Sequence, residues 1–256
     1  MVGLLMNRQL GIVDWGIGGI SIHKLIKSRL GNVPVIYLSD TGAKPYGKMS
    51  RAELVARLNA VSEFLKTQGV THLVFGCNAA STAIDFLNHD GLKIEGVIES
   101  AVRLTARKKP AQLGLVGGGR TVRSGVYRKA FRQRGITVQQ RVAQPLSGLI
   151  ESGDVSSAML RRACKAILHP IKDSSHILLA CTHYPAILPI LHEFVSAETV
   201  FIDPASELVD RIKRWRLPVG GKDTFLTTGD PKKMQTAAFK AFAARLPSPR
   251  KVKIPF

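Results

Sequence analysis

Strands that end in cysteine constrain this chain more than any other feature. Residues 177–189 read Ile-Leu-Leu-Ala-Cys-Thr-His-Tyr-Pro-Ala-Ile-Leu-Pro, an apolar run that stops abruptly at Cys181, Thr182 and His183. Residues 72–81, His-Leu-Val-Phe-Gly-Cys-Asn-Ala-Ala-Ser, repeat the device at Cys77, 104 positions earlier (181 minus 77). A short apolar run closed by small and polar residues is the pattern of a parallel strand buried on both faces. Open α/β sheets bind ligands beyond the carboxyl ends of such strands, so each cysteine is set at a ligand-binding edge. A lone strand-end cysteine is more often a small buried hydrophobe. Two of them, each with polar neighbours, point to a shared site.

The rest of the chain alternates in the same way. A strand at 10–14 runs into Trp15-Gly16-Ile17-Gly18-Gly19 and a helix over 21–30, and a strand at 113–117 runs into Gly118-Gly119-Arg120-Thr121 and a helix over 121–134. Strand, glycine turn and helix open a βαβ unit, and glycines there let backbone N–H groups face a ligand. Further strands are expected at 34–40, 71–76, 94–99, 136–141, 199–203 and 224–228. Helices are expected at 50–68, 80–88, 155–168, 185–195, 206–215 and 231–245, with a loop or short helix at 145–153. Ser50 with Glu53 has the form of a capping box. The tail, 246–256, with three prolines and three basic residues, is expected to fray. The fold class is α/β: two similar lobes, each a mostly parallel sheet flanked by helices, with the active site in the cleft between them. Residues 1–100 with 205–256 form the first lobe and 101–204 the second.

Length and composition narrow the class. A chain of 256 residues, 45% hydrophobic, buries a full core. No apolar run approaches the roughly 18 residues a membrane span needs, and the opening residues are too short for a signal peptide. Three cysteines, an odd number, make no disulfide framework, and no Cys-x-x-Cys or His-x-x-x-His spacing suggests a metal. The expectation is a cytoplasmic protein with reduced thiols and no membrane partner. The net charge is +19, and residues 101–150 carry eleven Lys/Arg and no acid, while 211–256 carry twelve against two. Such an excess favours acidic metabolites or nucleic acid. Without a nucleic-acid module, nucleic acid is the less favoured partner and a solvated basic surface the plainer reading.

A thiolate on one face of a carbon and a thiol on the other can remove a proton and return one from the opposite side, inverting the centre. That chemistry needs no metal and no cofactor. Asp14, at the end of the first strand, Glu151 and His183 are candidate proton partners. Each also has an ordinary reading: Asp14 caps a turn, Glu151 caps a helix, and His183 satisfies a backbone carbonyl. Cys164 sits among Met159, Leu160, Ala163 and Ile167 at helical spacing and reads as structural.

The segments Val13-Asp14-x-Gly-Ile-Gly-Gly, Tyr37-Leu-Ser-Asp-Thr41, Pro45-Tyr46-Gly47, Cys77-Asn78-x-Ala80, Leu149-Ile-Glu-Ser-Gly153, Cys181-Thr-His-Tyr-Pro185 and Thr227-Thr-Gly-Asp-Pro231 resemble, in order, the glutamate racemases of the aspartate/glutamate racemase superfamily. The resemblance implies cofactor-independent racemisation of a small-molecule amino-acid substrate in a cleft between two α/β lobes. The D-glutamate produced would go to peptidoglycan. It implies that Asp14 assists Cys77, and that His183 and Glu151 assist Cys181. Asn78, Tyr46, Thr121 and Thr182 would hold the substrate, with Asp40, Pro45 and Gly47 in the same loop wall. A homodimer is left open. The chain departs from the family at two wall positions: Trp15 stands where Ser is usual, and Ala79 where Thr is usual. These two put the substrate in question, with aspartate or another amino acid as the alternative. A basic-surfaced binding protein on a racemase scaffold is the reading from outside enzymology.

Overall fold

The computed structural model of the protein describes residues 8–255. Two all-parallel sheets organise it. The first takes strands β1 (Leu10–Asp14), β2 (Val35–Ser39), β3 (His72–Phe75) and β4 (Lys93–Gly96). The second takes β5 (Leu113–Gly117), β6 (Val138–Val142), β7 (His176–Ala180) and β8 (Val200–Ile202). The chain then returns to the first sheet with β9 (Thr224–Thr227) and β10 (Arg250–Lys251), giving the orders β10-β9-β2-β1-β3-β4 and β6-β5-β7-β8. In each sheet the order reverses about the opening strand, β1 or β5. A crevice therefore opens beyond the carboxyl ends of β1 and β3, and of β5 and β7. Those strands deliver Asp14, Cys77, Gly118 and Cys181.

The central strands read as continuous apolar runs because helices cover both faces: all five residues of β1 and all five of β5 are buried. Helix α1 (Ile20–Leu30) follows the first glycine turn, and α2 (Arg51–Thr67) starts at the expected capping box, where Ser50 Oγ accepts from Glu53 N at 3.2 Å. Four sequence expectations need correction. The expected strand at 94–99 stops at Gly96, and Val97–Lys108 is a helix whose buried residues, Val97, Ile98, Ser100, Ala101, Val102 and Thr105, fall at helical spacing. The expected helix at 80–88 is a four-residue turn, Asn78–Ser81, and a separate 3-10 turn, Ile84–Phe86. The helix at 121–134 breaks into Gly119–Arg123 and Val126–Arg132 because Gly125 takes a left-handed conformation at φ +70°. Over its described residues, to 255, the tail does not fray. It adds β10 to the sheet edge, buries Ile254, and offers the Ile254 carbonyl to Arg57 at 3.1 Å.

Charged pairs tie β4 and the helix Val97–Lys108 to the helix Ala205–Lys213. Arg211 pairs with Glu95 and Glu99, and the buried Glu207 with Arg103 and Arg107. No helix among the described residues is long and apolar enough to cross a membrane.

Candidate active site

Where the carboxyl ends of β1 and β3 face those of β5 and β7 lies a cavity of about 430 Å3. Cys77 and Cys181 both line it. So do Asp14, Thr182 and His183, and the walls expected of Pro45, Tyr46 and Gly47. Trp15, Asn78, Ala79 and Thr121 complete the expected set. Two predicted residues, Glu151 and Asp40, stand behind the wall, each holding a residue that lines it.

Cys77 opens the short turn Asn78–Ser81, so its sulfur meets the N–H groups of the next residues. Burial pushes the Cys77 thiol well above its ordinary pKa and the neighbouring Asp14 charge adds to that, while the N–H groups of Ala80 and Ala79 act against it. Asp14 is 1% exposed, and burial raises its pKa. Its carboxylate accepts from Trp15 N at 2.7 Å and from the Thr182 hydroxyl at 2.7 Å, the latter a bond from the loop after β7 to the end of β1 in the other sheet. Thr182 therefore lines the cavity with its proton already given to Asp14.

Cys181 has a different partner. His183 Nδ1 lies 3.8 Å from Cys181 Sγ, and His183 Nε2 lies 2.7 Å from Glu151 Oε2. Burial alone would lower the His183 pKa. Hydrogen bonds to Cys181 and Glu151 outweigh it, and the imidazole is held well above its ordinary value. Glu151 also accepts from Ile17 N at 2.9 Å. Each thiol thus has its own titratable neighbour: a carboxylate beside Cys77, and an imidazole backed by a carboxylate beside Cys181.

The first glycine turn serves this contact rather than a ligand. A Cβ on Gly16 would fall inside the Glu151 carboxylate, and one on Gly18 would fall on Thr182, His183 and Asp14. The N–H of Ile17, which the sequence suggests for a ligand, goes to Glu151.

Asn78 is 3% exposed, and its Oδ1 accepts from the Tyr127 hydroxyl at 2.6 Å. Its amide nitrogen is left with no partner while the residue lines the cavity. A buried unpaired donor is costly, and an acceptor brought by a ligand removes that cost. Asp40 does not meet the cavity. It is fully buried, takes the Arg57 guanidinium at 2.6 and 2.9 Å, and accepts from the Tyr46 hydroxyl at 2.7 Å and Thr228 at 2.8 Å. Its expected substrate contact is replaced by a structural one, since these donors occupy both carboxylate oxygens. Trp15 lines the cavity with its indole N–H already bonded to the Ala43 carbonyl at 3.0 Å.

Sequence reasoning missed Tyr127, Arg120 and Gln144. Arg120 lines the cavity next to the predicted Thr121, and its position in a glycine turn at a strand end was the available signal. Gln144 accepts from Gly119 N at 3.0 Å. Cys164 is fully buried in a helix, as expected. Among the described residues no three His, Cys, Asp or Glu side chains converge as a metal-binding group.

Comparison with known proteins bears on the family and the fold. Residues 20–212 match the family model described as Asp/Glu/Hydantoin racemase. A glutamate racemase of Aquifex aeolicus is 32% identical over 196 residues, 75% of this chain and 77% of its own length. Glutamate racemase 1 of Caldanaerobacter subterraneus is 29% identical over 88% of each chain. The crystal structure of Francisella tularensis glutamate racemase in complex with D-glutamate superposes with a TM-score of 0.88 at 25% identity, covering 98% of this chain and 99% of that one.

Proposed function

The chain belongs to the Asp/Glu/hydantoin racemase family, and from that premise we propose that it interconverts L- and D-glutamate by taking the α-proton with one of Cys77 and Cys181 and returning a proton from the other, without a cofactor. The observation that carries this reading is one cavity lined by two thiols, each beside a separate proton partner.

The raised Cys77 pKa keeps that sulfur as a thiol at neutral pH, a proton donor. The raised His183 pKa keeps a proton beside Cys181, so the imidazolium can stand as charge partner to a thiolate there. For one hand of the substrate, the α-C–H bond breaks and its proton goes to Cys181 Sγ, leaving its electron pair on carbon. The Cys77 S–H bond then breaks and delivers its proton from the opposite face. The enzyme finishes with a Cys77 thiolate and a Cys181 thiol, the form that processes the other hand. Asp14 and His183 exchange protons with the sulfurs to restore the starting form. The unpaired Asn78 amide is suited to a substrate carboxylate, and a rigid hold keeps the α-carbon between the sulfurs.

The reading extends to residues 1–100 with 205–256 and 101–204 as the two lobes, of which 1–7 and 256 lie outside the described residues, and to a cytoplasmic enzyme supplying D-glutamate for peptidoglycan. Its support is the family's usual role. A second reading, another amino acid as substrate, is favoured by Trp15, whose ring is fastened into the wall by the Ala43 carbonyl. With Ala79 beside it, the wall lacks two hydroxyls that the family offers. An ordinary hydrogen bond contributes about 0.5–1.5 kcal/mol and one to a charged group about 1.5–3. Trp15→Ser with Ala79→Thr is therefore expected to raise kcat/KM on glutamate by about one to three orders of magnitude. A panel of amino acids incubated in D2O and followed by proton NMR names the substrate. Exchange of the glutamate α-proton, and no gain from the double change, would dismiss the second reading.

A further inference from the structure

We propose that a cationic groove at the mouth of the cavity is a binding site for a small, multiply charged oxyanion bearing phosphate or carboxylate groups. The groove, about 540 Å3, is lined by Lys48, Arg51, Arg120 and Arg123 and by no acid. None of these four side chains forms an ion pair among the described residues. Several arginines elsewhere are neutralised: Arg29 meets Asp210, Arg57 meets Asp40, Arg161 meets Glu193, and Arg211 meets Glu95.

Arg120 is the junction. It lines both the groove and the cavity that holds the cysteines. Its guanidinium is fixed by two neutral acceptors, Met49 O at 2.7 Å and Thr82 Oγ1 at 3.2 Å, which orient the group without balancing its charge. Burial and then the charge of Arg51 hold Arg120 below its ordinary pKa, as expected of cations gathered without an anion. Arg51 is in turn placed by the Phe86 ring, 4.9 Å from its guanidinium carbon. Planar guanidinium forks match phosphate and carboxylate oxygens in pairs, and Lys48 adds a point charge. The four cations converge on one pocket rather than follow a strip, and no aromatic ring lines it for base stacking, so a small molecule fits better than a nucleic-acid strand.

An anion seated against Arg120 weakens the field the cavity offers to an acidic substrate. On the racemase reading, occupancy therefore raises KM for glutamate and leaves kcat unchanged. The binding claim does not depend on that reading. The test is calorimetric titration of inorganic pyrophosphate, at low and at moderate salt, into the full chain and into Arg51→Gln/Arg123→Gln. Those two residues line the groove and not the cavity. The parent is expected to bind, and the double variant to lose affinity by about tenfold or more, with anion-free kcat at the parent level. Cys77→Ser is expected to bind pyrophosphate as the parent does, so a failed racemase reading and a failed groove are told apart. Should the double variant unfold, Arg51→Gln and Arg123→Gln singly are each expected to lose several-fold at an unchanged thermal midpoint. Equal binding by parent and variants, or none by the parent at low salt, overturns the proposal. So does a single-stranded oligonucleotide that binds more tightly than pyrophosphate and is lost in the same variants, which would make the surface a nucleic-acid one.

Discussion

Asp40 and His183 show how much of the site lies one residue behind the cavity wall. Asp40 is fully buried and holds both Arg57 and the Tyr46 hydroxyl. Removing one partner of a buried ion pair costs about 3–5 kcal/mol, because the other is left uncompensated. Asp40→Ala is thus expected to lower the thermal midpoint by about 6–20 °C. A merely substrate-binding Asp40 would instead change KM at an unchanged midpoint. His183 carries a pH dependence. Its folded pKa stands above its ordinary 6.5, so its pairing stabilises the fold fully below that value and is lost as the pH rises through the raised one. Glu151→Gln removes one cause of the rise. The parent's advantage over this variant in thermal unfolding is expected to be largest near pH 6 and to shrink in alkaline buffer, with the imidazole titrating lower in the variant by NMR. Among residues, those named by chemistry were legible in the sequence: both thiols, Asp14 and His183 line one cavity, and Asn78, named by the resemblance, lines it with them. Tyr127 was not, because an aromatic at helical spacing gives no sign that its hydroxyl will orient an amide 49 positions away.

The glycine turn after β1 is the element on which the site's assembly depends most. Gly16 and Gly18 admit Glu151, Thr182 and His183 from the other sheet to within contact of β1. A methyl group at Gly18 meets three polar side chains at once, and overpacking of this kind costs about 1–3 kcal/mol. Gly18→Ala is expected to lower the thermal midpoint by about 2–12 °C and to reduce turnover out of proportion, since it displaces both proton partners. Full activity with an unchanged midpoint would contradict the close approach. The strands were legible because doubly covered parallel strands are short apolar runs closed by turn residues. Helix limits were less so. Gly96 ends a strand that apolar content alone carries to residue 99, and Gly125 breaks a helix whose apolar pattern continues through it. The tail was misjudged because local composition carries no sign of a sheet edge 24 residues earlier (250 minus 226) waiting for a strand.

Across the whole molecule, two sheets bring Asp14 and Cys77 from one side and Cys181, His183 and Glu151 from the other, and neither half holds both thiols. The matching settings of Cys77 and Cys181 in the sequence predicted that meeting. The basic excess was visible there too, but not that four cations would gather without an acid at the cavity mouth. The most direct measurement is proton NMR of L- and of D-glutamate in D2O with the parent, Cys77→Ser and Cys181→Ser, each checked for folding by thermal unfolding. For the parent, the account predicts deuterium at the α-carbon of the product hand from either starting hand. For each folded serine variant it predicts loss of inversion in both directions, because a hydroxyl is far less acidic than a thiol. Inversion at the parent rate by either variant would contradict the two-cysteine account.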